Sequence, residues 1–99
     1  MGIIGNAETH GVLCEVLAER IKQDAKWGEQ DHHVAEWITI LGEEYGEACR
    51  AAYHGWHDGV DMANYRAELI HVAAVAVVAI ECYDRQVEFD RRVMMRKGA

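Results

Sequence analysis

The sequence predicts an all-α protein: a small antiparallel bundle of three to four helices per chain, completed by oligomerisation. Three observations support this. The 99 residues contain no proline, so nothing in the chain forces a helix to break. Apolar residues recur three and four positions apart over three long stretches, the spacing of an amphipathic helix. The apolar fraction is 51%, more than one domain near the lower size limit can bury, so a second copy is expected to cover part of it. The whole chain, 1–99, is read as one domain.

After a Gly-rich start over residues 1–6, a first helix is expected at about 9–26, with Val12, Val16, Leu17 and Ile21 as its apolar stripe. Gly28 stops it as a helix C-cap. Residues 28–33 form a polar connector, with Asp31 as the expected N-cap of the next helix. That second helix covers about 32–53, and Val34, Ile38, Leu41, Tyr45, Ala48, Cys49 and Ala52 form its apolar face. Gly42 and Gly46 lie inside it. Each costs about 1 kcal/mol relative to alanine, which points to another backbone passing close by. The stretch 54–59, His-Gly-Trp-His-Asp-Gly, reads as a turn-rich loop. A third helix follows at about 61–84, small and apolar through its middle. Residues 85–99 carry half the cationic side chains and either extend it or form a short fourth helix.

Seventeen acidic against ten basic residues give a net charge of −7, the wrong sign for a general nucleic-acid binder. The apolar run 69–80 is too short to cross a bilayer, which takes roughly 20 residues, so no membrane association is expected. Cys14, Cys49 and Cys82 are widely spaced and odd in number, without a secretory signal. They read as reduced core thiols of a cytoplasmic protein.

The chemistry concentrates in carboxylates. Glu43, Glu44 and Glu47 share one helix, and Glu44 borders its apolar face. Glu68 opens the longest apolar run, with His71 one turn on. Residues three or four apart are neighbours on a helix surface, so Glu44 pairs with Glu47, and Glu68 with His71. An antiparallel packing of helices two and three would bring the two pairs face to face. Ionised carboxylates are costly to bury without a partner, and an oxygen-rich set suits Mg2+ or Mn2+. A solvated helix face and a core histidine are the plainer readings of the same residues.

Glu43-Glu44-x-x-Glu47 followed by Glu68-x-x-His71 resembles the EExxE…ExxD pattern of MazG-like nucleotide pyrophosphohydrolases. Lys26-Trp27-Gly28 before the motif helix, Trp37 one turn inside it and the Ala/Val-rich third helix are similar as well. The resemblance spans about residues 26–84. It implies an all-α dimer or tetramer with helices from two subunits around each site. It also implies Mg2+-dependent cleavage of nucleoside triphosphates between the α and β phosphates, of the house-cleaning kind. On that reading Glu44, Glu47, Glu68 and His71 hold metal, Glu43 orients or deprotonates the attacking water, and Lys26, Trp27 and Trp37 contact the nucleotide. The tail arginines are further candidates for the departing pyrophosphate.

The family's final aspartate is His71 in this chain, and a neutral imidazole suits Mn2+, Fe2+ or Zn2+ better than Mg2+. Three other readings remain open at the sequence level. Glu68-x-x-His71 also fits one element of a carboxylate-bridged di-iron bundle. His54, His57 and Asp58 could make a zinc site. A nucleotide-binding helical oligomer without catalysis is the third.

Overall fold

The computed structural model describes residues 6–98, and the expected loose start at 1–5 lies outside them. The described residues form three helices and no strand: α1, Ala7–Trp27; α2, Val34–His57; and α3, Ala63–Gly98. The tail is therefore the last part of α3, not a separate helix. No helix among the described residues is long and apolar enough to cross a membrane.

Local chemistry sets the helix ends. The Asn6 side chain accepts from the Thr9 N–H at 2.7 Å and opens α1. Gly28 closes it at φ 72°, a conformation that side chains rarely adopt. The cap of α2 is His33, not Asp31. The Ala35 N–H donates to His33 Nδ1 and the His33 N–H donates to Glu36 Oε1, each at 3.1 Å, a reciprocal capping box. Asp31 instead accepts from Arg85 at 3.0 Å, which ties the connector to α3.

Helix α2 also runs through the stretch expected to be a loop, ending only at Asp58-Gly59. Gly55 is a poor helix former, but a Cβ there would collide with the Met62 side chain. Its bare backbone lets the α2–α3 turn fold tightly against the helix end. Asp61 then caps α3, accepting from the Ala63 N–H at 2.9 Å.

Helix α3 packs against both other helices, while α1 and α2 do not pair with each other. Early α2 faces late α3 and late α2 faces early α3, so those two are antiparallel. The core lies between them, where Trp37, Val75, Val78 and Cys82 are buried against Ile40, Leu41 and Ala79.

The face of α1 differs from the expected stripe. Val16 is buried, but Leu17 and Ile21 are 59% and 62% exposed, and Arg20 turns inward instead. Arg20 reaches Glu81 at 2.7 Å and Asp24 at 3.0 Å, while Arg66 holds Glu15 at 2.6 Å. Two ion pairs, Arg20–Glu81 and Glu15–Arg66, thus join α1 to α3. Of the cysteines, only Cys82 is a core thiol; Cys14 and Cys49 are free and exposed. Gly42 and Gly46 meet no neighbouring backbone within the chain, and only the Arg50 side chain comes near Gly46.

The resulting fold is open. Its radius of gyration is 17.4 Å, against about 13 Å for a compact chain of this length.

Candidate metal centre

Glu44 from α2 and Glu68 and His71 from α3 converge. Each offers one ligand atom, and these atoms lie within 4.8 Å of one another. The antiparallel α2–α3 packing brings the middle of α2 beside the first half of α3. The i, i+3 spacing then turns Glu68 and His71 toward the same point.

His71 Nδ1 stands 3.5 Å from Glu68 Oε2, and its Nε2 stands 3.8 Å from Glu19 Oε1 on α1. These are ion-pair separations rather than hydrogen bonds. Glu68 Oε2 is left buried without any hydrogen-bond partner, an arrangement that ordinarily costs about 1–3 kcal/mol or more. Burial pushes the Glu44 carboxyl above its ordinary value. The charges of Glu47 and Glu68 push it the same way, His71 pulls against them, and Glu19 adds the smallest push. Glu19, Glu44 and Glu68 thus crowd one imidazole, with Glu47 close enough to act on Glu44, and the cluster is short of positive charge. That imbalance, with the unpartnered Glu68 oxygen, fits a divalent cation.

The other sequence candidates lie around this centre. Glu47, expected as a fourth metal ligand, is exposed and lies outside the three-residue cluster, though its charge acts on Glu44 and it lines a groove with Glu68. Glu43 is exposed and lies outside the three-residue cluster. Trp37 is buried at 6% exposure, with its indole N–H unpaired and its ring edge-on to His32 at 4.8 Å. Trp27 is 60% exposed at the end of α1, with Lys26 Nζ 4.8 Å from its ring centre. Both tryptophans line one cavity of about 290 Å³ that also reaches Glu44.

The His54–His57–Asp58 group at the end of α2 is organised differently. Asp58 accepts from His54 Nδ1 at 2.6 Å and from His57 Nδ1 at 2.9 Å. These bonds hold the Asp58 carboxyl below its ordinary value. Among the described residues, Glu44, Glu68 and His71 form a cluster with ligand atoms within 4.8 Å of one another, and the His54–His57–Asp58 group does not.

The sequence reading missed Glu19. It lies one turn from Val16 on the face that α1 turns to α3, but a periodicity built on apolar residues passes over a polar inward face. Comparison with known proteins returned no matching family model, no matching curated protein and no matching solved structure.

Proposed function

We propose that this chain is a divalent-metal-dependent nucleoside triphosphate pyrophosphohydrolase of the MazG-like kind, releasing nucleoside monophosphate and pyrophosphate. One observation carries the reading: Glu44, Glu68 and His71 converge beside a cavity lined by Trp27 and Trp37. A charge-deficient carboxylate cluster next to aromatic walls suits a substrate that is a metal-bound polyanion at one end and a flat base at the other.

Glu44, Glu68 and His71 would hold Mg2+ or Mn2+, with His71 favouring Mn2+. The bound ion would supply neutralisation of phosphate oxygens and a more acidic attacking water. Orienting that water and taking its proton falls to a carboxylate near the cluster. Both Glu43 and Glu47 are exposed, but Glu47 lines the groove with Glu68 and its charge reaches Glu44, so Glu47 takes this role in place of Glu43. Trp27 offers an exposed ring for stacking, and Lys26 beside it adds positive charge near the substrate.

The active form is an oligomer of this chain, a dimer or tetramer. The chain exposes 7500 Å², whereas a compact monomer of its mass exposes roughly 5,700 Å². The difference is the scale of one or two protein interfaces, at about 800 Å² per partner each. On α2, Val34, Ile38 and Tyr45 are 59–65% exposed and share a face with Gly42 and Cys49. Gly42 leaves room there for a second helix to come close.

The test is pyrophosphate release from a panel of common and modified (d)NTPs, with Mg2+ and Mn2+ assayed separately. Pyrophosphate appearing with a matching monophosphate is the expected result. Saturable nucleotide binding without turnover would favour a non-catalytic binder. Bound iron with visible absorption would favour the di-iron reading, for which Glu44 and Glu68-x-x-His71 make half a site.

A further inference from the structure

We propose that Arg50, assisted by His54, forms a binding subsite for the terminal phosphates of the substrate, so that the site requires a polyphosphate. The inference rests on the nucleotide reading above and adds its polarity: base toward the connector, phosphate chain toward the end of α2.

The carboxylate cluster has two different neighbours. On one side is the aromatic cavity, with Glu44 at its edge and Trp27, Trp37 and His32 around it. On the other is a groove of about 410 Å³ between the end of α2 and the start of α3, lined by Glu47, Arg50, His54, Asp61, Asn64 and Glu68. Both openings border the same cluster. A nucleotide spanning it can place its base in one and its phosphates in the other.

Arg50 is the unusual residue of that groove. Arg20, Arg66, Arg85, Arg91 and Arg92 each pair with a carboxylate. Among the described residues, Arg50 and Arg96 do not, and Arg96 lies far off in the last turn of α3. Arg50 stands one turn from Glu47, the spacing at which helical ion pairs ordinarily form. It shares the groove with Glu47, Asp61 and Glu68 and pairs with none of them. Its guanidinium lies back over Gly46, with Nη1 3.8 Å from where a side chain there would begin. Its fork of donors therefore remains available, and a guanidinium fork matches phosphate geometry in a bidentate way.

His54 lines the same groove. A carboxylate can only accept, so Nδ1 carries the proton shared with Asp58 at 2.6 Å. Nε2 is left as the free nitrogen, and it donates to an anion when the ring is protonated. The three groove carboxylates repel a bare anion, so phosphate binding there depends on a divalent cation at the neighbouring cluster.

The experiment is calorimetric titration of the full chain, loaded with Mn2+, with inorganic pyrophosphate and separately with a nucleoside monophosphate. It is repeated on Arg50→Ala and Arg50→Lys, with circular dichroism to confirm that each variant is folded. Arg50→Ala should weaken pyrophosphate binding about tenfold or more and leave the monophosphate unchanged, with partial recovery in Arg50→Lys. In turnover, KM for the triphosphate should rise by a similar factor. Wild-type affinity for pyrophosphate in Arg50→Ala, or no pyrophosphate binding by the wild type, overturns the subsite. The two ideas fail separately. Turnover that ignores Arg50 sinks the subsite and keeps the hydrolase, while Arg50-dependent pyrophosphate binding without turnover does the reverse.

Discussion

His71 Nε2 on α3 stands 3.8 Å from Glu19 Oε1 on α1, so the first helix reaches the carboxylate cluster through the imidazole. Glu19 is itself steadied, with Gln23 Nε2 donating to its other oxygen at 3.3 Å. At 3.8 Å the pair is not hydrogen-bonded. If it closes to hydrogen-bond distance when His71 holds a metal through its other nitrogen, Glu19 would fix the ring and raise its basicity. Losing such a partner typically costs about 10- to 100-fold in metal affinity. Glu19→Gln is expected to weaken Mn2+ binding within that range without unfolding the chain. Unchanged affinity by titration would show that Glu19 has no part in the centre.

Glu44 predicts how stability varies with pH. Its carboxyl is raised in the folded state, by burial first and then by Glu47, Glu68 and Glu19. Its contribution is therefore fully present below the unfolded-state carboxylate value and is lost as pH rises through the folded one. Without metal, Glu44→Gln should be more stable than the wild type at pH 7, with the gap closing toward pH 4. Added Mn2+ should reverse the order at pH 7, because only the wild type gains from binding. Thermal melts of both proteins at the two pH values decide this; a gap that grows on acidification contradicts it.

Activity should separate the motif glutamates. Glu68→Gln and Glu47→Gln are each expected to lower kcat at least about 100-fold, whereas Glu43→Gln should stay within a few-fold of wild type. His71→Asp should shift the preference from Mn2+ toward Mg2+. Steady-state assays in each metal read all four. A large loss in Glu43→Gln with full activity in Glu47→Gln would return the water-orienting role to Glu43.

Ile38→Glu places a charge on the exposed apolar face of α2, where Ile38 is 65% exposed. Because Ile38 is mostly exposed in the single chain, the change should leave helicity intact and shift the oligomer toward monomer. Light scattering coupled to size exclusion measures this directly, and an unchanged mass would move the interface to another face.

The parts of this architecture that follow from spacing were readable from the sequence. Three helices, the antiparallel α2–α3 pair and the meeting of Glu44 with Glu68 and His71 need only the 3.6-residue repeat and a short connection. The inward face of α1 was not readable, because Arg20 and Glu19 are held by partners distant in sequence while Leu17 and Ile21 face outward. The far end of α2 was misread because Gly55 resembles a turn residue, and only the Met62 side chain against it reveals its use. Arg50 looks like any surface cation until its groove and its missing partner are seen together.

The continuity of α3 has an electrical consequence. Residues 85–98 hold five basic side chains against Glu88 and Asp90, a net +3, while the whole chain carries −7. The remainder is therefore −10. Because the basic stretch ends one unbroken helix of about 54 Å, the molecule is a rod with opposite charge at one tip. Two such rods repel most when aligned in the same direction, and least when reversed, with each basic tip beside the partner's acidic part. Any pairing of copies along α3 is thereby biased toward a two-fold, antiparallel arrangement, most strongly in dilute salt.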